Sequence, residues 1–102
     1  MAQFLVLAYD GTDADSVARR QAARPLHFEA LQPMIERGEI VVGAAILDDR
    51  GTMIGSTVIA EFPSRADLDA WLAREPYVTQ RVWQKIEVRP VRIAVREGKV
   101  TR

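Results

Sequence analysis

The stretch IVVGAAILDDRGTMIGSTVIAEF, residues 40–62, decides the fold. Its apolar halves, 40–47 and 53–62, flank a polar cluster that ends in Gly51, and a glycine there can turn the chain. The pattern therefore predicts two antiparallel strands joined as a hairpin. The first half is apolar at successive positions, whereas a sheet with one face in water alternates apolar and polar residues. Both faces of this part of the sheet therefore need a cover.

Upstream of the hairpin, the chain reads as one strand followed by a long helix. Residues 4–9 are a short apolar run that ends at a turn. From Asp13 the composition changes to Ala, Arg, Gln and Glu, which favour helix, as far as Gly38, a residue suited to a left-handed helix stop. Pro25 and Pro33 each remove a backbone donor, so we expect a kink or two helical pieces.

Downstream of the hairpin, the pattern predicts a second helix and a last strand. Ser64 and Asp67 form a variant of the capping box at the start of that helix. Residues 77–81 are predicted as a short loop or turn, and residues 82–95 as the strand. The apolar positions of this strand change phase at Pro90, which predicts a β-bulge there.

The order strand, helix, strand, strand, helix, strand matches the split βαβ arrangement of the ferredoxin-like α+β fold, with a four-stranded antiparallel sheet. Its two helices cover only one face of the sheet. A second copy of the same sheet is the simplest cover for the other face, so we expect a homodimer paired as an α/β barrel; an exposed apolar face is the alternative. Residues 1–96 are predicted as this single domain and residues 97–102 as a basic C-terminal tail.

The composition excludes several function classes. The formal net charge is zero, so the chain has no overall field to hold nucleic acid or an anionic membrane. It has no cysteine and one histidine, which removes thiolate chemistry and gives no metal-ligand spacing. Its glycines form no phosphate-binding loop, so no cofactor is expected. The start of the chain carries no targeting signal and the apolar runs are short, which predicts a cytoplasmic protein.

The single histidine, His27, is the best lead to chemistry. Helical spacing places it on one stripe with Arg20, Arg24 and Leu31. Histidine is the side chain that titrates nearest neutrality, and two guanidinium groups nearby attract an anion, so this cluster could bind an acid and move a proton. The alternative is that His27 is a packed, hydrogen-bonded core residue, and periodicity alone leaves both possibilities open.

The chain resembles the YCII-related (YciI-like) family, whose members are small ferredoxin-like proteins that pair as dimeric α/β barrels. The resemblance runs nearly end to end. It rests on the order and spacing of several motifs. The opening strand and its acid are Phe4 to Asp10, and the Arg-x-x-x-Arg-x-x-His spacing is Arg20, Arg24 and His27. The hairpin carries Gly43-Ala44-Ala45-Ile46 and Gly55-Ser56, and Glu75-Pro76-Tyr77-Val78 follows the second helix.

The resemblance implies an active site in which the helix histidine, His27, pairs with the acid of an Asp-Pro-Tyr motif. This sequence has Glu75 in place of that aspartate, one methylene longer, and a glutamate can still orient an imidazole and hold its tautomer. We therefore expect His27 and Glu75 to be catalytic. The residues expected to bind substrate are Tyr9, Asp10, Arg20, Arg24, Ser56 and Tyr77.

The resulting functional hypothesis is a cofactor-independent acid/base enzyme of the lyase or isomerase type. Its substrate would be a small anionic or aromatic metabolite, with the arginines holding a carboxylate or phenolate oxygen. This choice rests on the resemblance more than on the residues. The alternative is a non-catalytic small-molecule binder or accessory subunit, which needs the cavity but not the contact between His27 and Glu75.

Overall fold

The hairpin predicted from residues 40–62 forms as two antiparallel strands in the computed structural model, which describes residues 1–101. The elements follow the predicted order. They are β1 (Ala2–Asp10), α1 (Ser16–Glu36), β2 (Ile40–Leu47), β3 (Met53–Phe62), α2 (Arg65–Arg74), α3 (Pro76–Thr79), β4 (Trp83–Val91), β5 (Val95–Arg96) and β6 (Lys99–Val100).

The main sheet has the strand order β2-β3-β1-β4, and its neighbouring strands are antiparallel. This arrangement confirms the ferredoxin-like α+β fold. Because β2 and β3 are sequential while β1 lies between β3 and β4, each helix crosses over the sheet and both lie on one face. Within residues 1–101, none of the helices is long and apolar enough to cross a membrane.

The two faces of the sheet differ in cover. Val6 and Val58 sit side by side on the face that packs against the helices, and both are buried with Leu68 and Trp71 of α2 in the main core. Side chains alternate along a strand, so the neighbouring odd positions, such as Leu7 and its partner Thr57, point to the opposite face. We call that opposite side the open face.

Gly38 and Ser64, which the sequence predicts at the end of one helix and the start of the next, are confirmed as helix caps. Gly38 has a φ of 78° and follows the last turn of α1. Its N–H donates to the carbonyl of Ile35, while the N–H of Glu39 donates to that of Met34, which is the Schellman pattern. Ser64 accepts a hydrogen bond from the N–H of Asp67 and so caps α2.

The first helix differs from its prediction. It begins at Ser16, not at Asp13, because Asp13 instead accepts two hydrogen bonds from Arg19 and lies outside the helix. The helix runs through Pro25 and Pro33 as one element, so of the two expected alternatives, a kink or two pieces, the second is wrong. Tertiary packing of the buried stripe holds the turns together where each proline lacks its hydrogen bond.

The last part of the chain also needs correction. The predicted loop at 77–81 begins as the single-turn helix α3, since Glu75 accepts a hydrogen bond from the N–H of Tyr77 and proline suits a first helical position. The strand β4 ends at Val91, not at residue 95. The predicted bulge near Pro90 is wrong.

Pairing between β1 and β4 is continuous from Gln3 opposite Val91 to Tyr9 opposite Lys85, and the register shifts only between Tyr9 and Asp10. Because β4 is an edge strand, its proline need not disturb the ladder. The apolar residues at odd positions after 91, Ile93 and Val95, lie outside β4, which explains the apparent phase change.

The segment after β4 folds back on the open face. Its two short strands, β5 and β6, pair with each other. Ile93 donates its N–H to the Gln3 side chain at 2.6 Å, and Arg96 contacts the carboxylate of Glu61, which lies on the open face. The division of the chain at residue 96 stays a prediction.

Candidate functional site

A cleft of about 350 Å³ lies between α1 and the helix-covered side of β2 and β3. Polar and aromatic side chains converge on it from the helix, from the sheet and from α3. Those that matter for its chemistry are Arg20, Arg24, His27, Phe28, Ser56 and Tyr77. A mostly apolar cleft with a few convergent polar groups is the usual form of a small-molecule site.

His27 lies on the buried stripe of α1 and faces this cleft. It is 7% exposed, and its Nδ1 atom contacts the Oε1 atom of Glu75. Among residues 1–101, the other ring nitrogen, Nε2, makes no hydrogen bond. The contact therefore fixes one side of the ring and leaves Nε2 as the nitrogen that a ligand can reach.

Glu75 is held by the chain around it. It lies between α2 and α3, and its carboxylate accepts three hydrogen bonds or contacts although the residue is 1% exposed. Besides His27, the donors are Trp71 Nε1, at 3.1 Å from Oε2, and the N–H of Tyr77, at 3.2 Å from Oε1. A buried carboxylate needs such partners, and they fix its orientation toward the histidine.

Tyr77 joins the two polar groups of the site. Its ring stacks on the His27 ring with centroids 3.9 Å apart and planes 11° apart. The guanidinium carbon of Arg20 lies 4.9 Å from the same ring. Burial raises the pKa of the Tyr77 hydroxyl, although Arg20 and Arg24 act in the opposite direction, so the hydroxyl stays protonated near neutral pH.

Arg20 forms the second buried polar group. Its Nη1 donates to both carboxylate oxygens of Asp10, at 2.9 and 3.0 Å, and its Nη2 donates to Ser56 Oγ at 2.9 Å. Ser56 also accepts a hydrogen bond from Trp83 Nε1. Burial raises the pKa of Asp10, and the hydrogen bond from Arg20 partly offsets this. These contacts tie α1 to β1, β3 and β4.

Arg24 differs from Arg20 in its surroundings. It is exposed, and its guanidinium carbon lies 5.2 Å from the centre of the Phe28 ring, one turn further along α1. Within residues 1–101 it makes no ion pair with a carboxylate. Both Arg24 and Phe28 line the cleft, so this pair gives its wall an aromatic ring with a positive charge beside it.

The structure brings together seven of the eight residues predicted for the site. Tyr9 is the exception, because it is an odd position of β1 and its side chain lies on the open face, 38% exposed. The alternation of β1, with Phe4, Val6 and Ala8 buried, carried the signal that position 9 faces away. Asp10 follows the register shift and reaches the helix side.

Sequence reasoning missed three residues of the site. Trp71 lies four residues before Glu75, a helical spacing that could have signalled its contact. Phe28 follows His27 directly, yet adjacent positions on a helix do not share a face, and only the open cleft brings it into the wall. Gly43 lies on the cleft side of β2. Within residues 1–101, no cluster of three metal-ligating side chains occurs.

Comparison with known proteins identifies the family. The model of the YCII-related domain matches residues 2–92, which is most of the chain. The chain belongs to the YCII family. Protein YciI of Escherichia coli O6:H1 (strain CFT073) is a YCII relative with 35% identity over 92 residues, covering 84% of this chain and 94% of the relative. Protein YciI of Shigella flexneri matches with the same values.

Solved structures show the same fold as this YCII chain. The 5-chloro-2-hydroxyhydroquinone dehydrochlorinase TftG of Burkholderia phenoliruptrix AC1100, solved with 2,5-dihydroxybenzoquinone, aligns with a TM-score of 0.76 and 22% identity over 88% of this chain and 93% of TftG. A dimeric ferredoxin-like protein from Jannaschia sp. CCS1 aligns with a TM-score of 0.53 and 12% identity over 91% of this chain and all of that one. At these identities the likeness establishes the fold alone.

The departure at position 75 of this YCII chain leaves the contact intact. A glutamate side chain is one methylene longer than the aspartate that the resemblance implies, yet its carboxylate reaches His27. The extra length is taken up locally, because the same carboxylate turns back to cap α3 at Tyr77.

Proposed function

We propose that this chain is a cofactor-independent acid/base enzyme of the lyase or isomerase type that acts on a small anionic or aromatic metabolite. One observation carries the proposal: Nδ1 of His27 rests on a buried carboxylate while Nε2 remains available in a cleft. This is the arrangement in which a carboxylate orients an imidazole for proton transfer. Glu75 fills the carboxylate role.

The proton path follows from this geometry. Nε2 of His27 takes a proton from a C–H or O–H group of the substrate, and Glu75 stabilises the imidazolium ion that forms. The electron pair released from that bond either expels an anionic leaving group, which is elimination, or is protonated again by His27 at another atom, which is isomerisation. Arg24, whose charge is unpaired among residues 1–101, binds an anionic oxygen of the substrate and opposes the charge that develops on it.

The structural likeness to TftG supports the elimination branch as the first to test. That enzyme is named as a dehydrochlorinase and was solved with 2,5-dihydroxybenzoquinone, a planar, acidic ring. We propose the same class of ligand for this cleft, whose walls combine aromatic faces with arginine. The second candidate is a non-catalytic binder, which needs the cleft but not the contact between His27 and Glu75.

A binding screen separates these functions from a purely structural role. We expect a metabolite library, including 2,5-dihydroxybenzoquinone, to raise the melting temperature of the wild type through at least one small anion. Each hit is then assayed for turnover with the wild type and with His27→Ala. Turnover that the variant lacks supports the enzyme. Hits without turnover in either protein support the binder, and the absence of any hit contradicts both.

We also propose that the open face pairs with a second copy of the chain to form a homodimer. Leu5, Leu7 and Ile59 lie on this face together with Val42, which is 53% exposed. Soluble monomers rarely expose an apolar patch of this kind, and the Jannaschia protein of the same fold is described as dimeric. Light scattering should give about twice the chain mass of 11.4 kDa. A monomer at micromolar concentration would contradict the pairing.

A further inference from the structure

We propose that Gly43 sets the size limit of the ligand, because its missing side chain leaves the room in which a planar six-membered ring bearing an anionic oxygen fits. The inference rests on the proposed function only in taking the cleft as the ligand site. Gly43 pairs with Val58 on the cleft side of β2 and lines the cleft with His27 and Ser56.

The backbone does not require a glycine at position 43. A Cβ atom built there would meet nothing closer than a Val58 methyl group at 3.9 Å and the Thr57 carbonyl oxygen at 4.0 Å, which are ordinary contacts. Its φ also lies outside the left-handed range that favours glycine, which among the glycines only Gly38, Gly51 and Gly98 adopt. A side chain at position 43 would therefore take its volume from the cleft.

Gly55, on the adjacent strand, is a glycine of the opposite kind. A Cβ atom there would lie 2.4 Å from the carbonyl oxygen of Ala8, so the close approach of β1 and β3 demands glycine at that point. The two positions thus provide a matched pair. The same substitution should damage the sheet at Gly55 and should occupy the cleft at Gly43.

The walls opposite Gly43 define the chemistry of the ligand. Phe28 is 51% exposed and lines the cleft with its ring, and an exposed aromatic side chain favours a flat ring as its partner. Arg20 lines the same cleft, is 6% exposed, and within residues 1–101 its Nε has no hydrogen-bond partner. Its charge is already paired with Asp10, so the selection for an anionic oxygen falls to Arg24, which lines the cleft and makes no ion pair among residues 1–101.

The test uses the full chain with two probes, 2,5-dihydroxybenzoquinone as the ring and oxalate as a small dianion. Calorimetry measures the Kd of each probe for the wild type, Gly43→Ala and Gly43→Val, and Gly55→Ala serves as the control for backbone demand. We expect Gly43→Val to weaken ring binding by about tenfold or more, because overfilling a packed site is costly, and Gly43→Ala to weaken it less. Oxalate affinity should stay within about twofold.

Stability separates a size limit from a structural requirement. Gly43→Ala should keep or raise the melting temperature, since alanine narrows the unfolded ensemble without a clash, whereas Gly55→Ala should lower it. Three results for Gly43→Val would overturn the inference: ring binding equal to that of the wild type, an equal loss of affinity for both probes, or a melting temperature as low as that of Gly55→Ala. A wild type that binds neither probe would also overturn it. If ring binding depends on the size of residue 43 but the wild type turns over none of the ligands found in the screen, the proposed enzyme is contradicted and this inference is supported.

Discussion

Two side chains of α1, Arg20 and His27, each meet a buried carboxylate, and both lie against the ring of Tyr77. The side chain of Asp10, the partner of Arg20, is 4% exposed, and that of Glu75, the partner of His27, is fully buried. The residues stand seven apart in sequence, which places them on the same stripe of the helix. The two side chains differ in whether a nitrogen atom remains available to a ligand in the cleft.

Arg20 carries a permanent charge and uses both of its terminal nitrogens to join β1 and β3 to the helix, so its contact is structural. His27 uses one nitrogen for Glu75 and keeps the other for the cleft, and an imidazole can both accept and return a proton. A helix can thus present a positioning group and a reacting group two turns apart. Loss of the first should cost mainly stability, and loss of the second mainly turnover.

The largest effect should come from His27→Gln, which keeps a hydrogen-bond donor for Glu75 but cannot accept and return a proton. We expect the turnover of any substrate found by the screen to fall by about a thousandfold, within the range for loss of a general base. Stability should fall by about 1 kcal/mol as the stacking on Tyr77 is lost. The measurement is kcat at a temperature where both proteins are folded. A large fall in stability with turnover preserved would show that His27 is a core residue.

The next effect in size should come from Arg20→Met. It leaves the Asp10 carboxylate buried without its cation, which destabilises a fold by about 3 kcal/mol, and it should raise the pKa of Asp10 further. Urea unfolding measures the change. Arg19→Met is the matched control, because Arg19 pairs with the half-exposed Asp13 and its loss should matter far less. Equal losses for the two variants would contradict a structural role for the Arg20 contact.

The smallest effect is the opposite way in which Asp13 and Asp10 change the stability of the fold at acid pH. The hydrogen bond from Arg19 lowers the pKa of Asp13 from 3.8 to about 2, so the folded state favours its ionised form. The resulting stabilisation is present above pH 3.8 and is lost as the pH falls toward 2. The raised pKa of Asp10 has the opposite sign, because it favours the protonated form in the folded state. That contribution is lost as the pH rises from 3.8 through the folded pKa.

Thermal unfolding of wild type and Asp13→Asn between pH 2 and 6 checks this sign. The wild type should be slightly more stable at pH 6, and the two proteins should converge near pH 2. Because Asp13 is a surface residue away from the cleft, the substitution should leave ligand binding unchanged. A difference between the proteins that grows toward low pH would contradict the assignment.

Local signals in the sequence carried most of the fold. Gly38 and Ser64 end and begin helices through hydrogen bonds that short stretches of sequence encode, and the glycine after three polar residues turns the hairpin. The single-turn helix at Pro76 was missed because its cap, Glu75, was read only as a possible acid. The bulge predicted at Pro90 is absent because this proline lies on an edge strand, and a local sequence pattern does not show the order of strands in a sheet.

The candidate site could be predicted only in part, for a related reason. Helical spacing gathers Arg20 and His27 on one stripe, but the partner of His27 lies 48 residues away, and periodicity says nothing about such distant contacts. The resemblance to a family supplied that partner. The spare volume beside Gly43 was equally hidden, because a glycine without positive φ or close backbone contact leaves no signature in sequence.

The most direct test of the account is the protonation state of the His27 ring. The chain contains one histidine, so a long-range ¹H–¹⁵N correlation spectrum of the untagged protein reports this ring alone. For the neutral ring we predict the tautomer with hydrogen on Nδ1, because that nitrogen contacts the Glu75 carboxylate, and we expect Glu75→Gln to disturb that preference. A ring that carries its hydrogen on Nε2, or that is unchanged by Glu75→Gln, would contradict the claim that Glu75 orients His27 for proton transfer in the cleft.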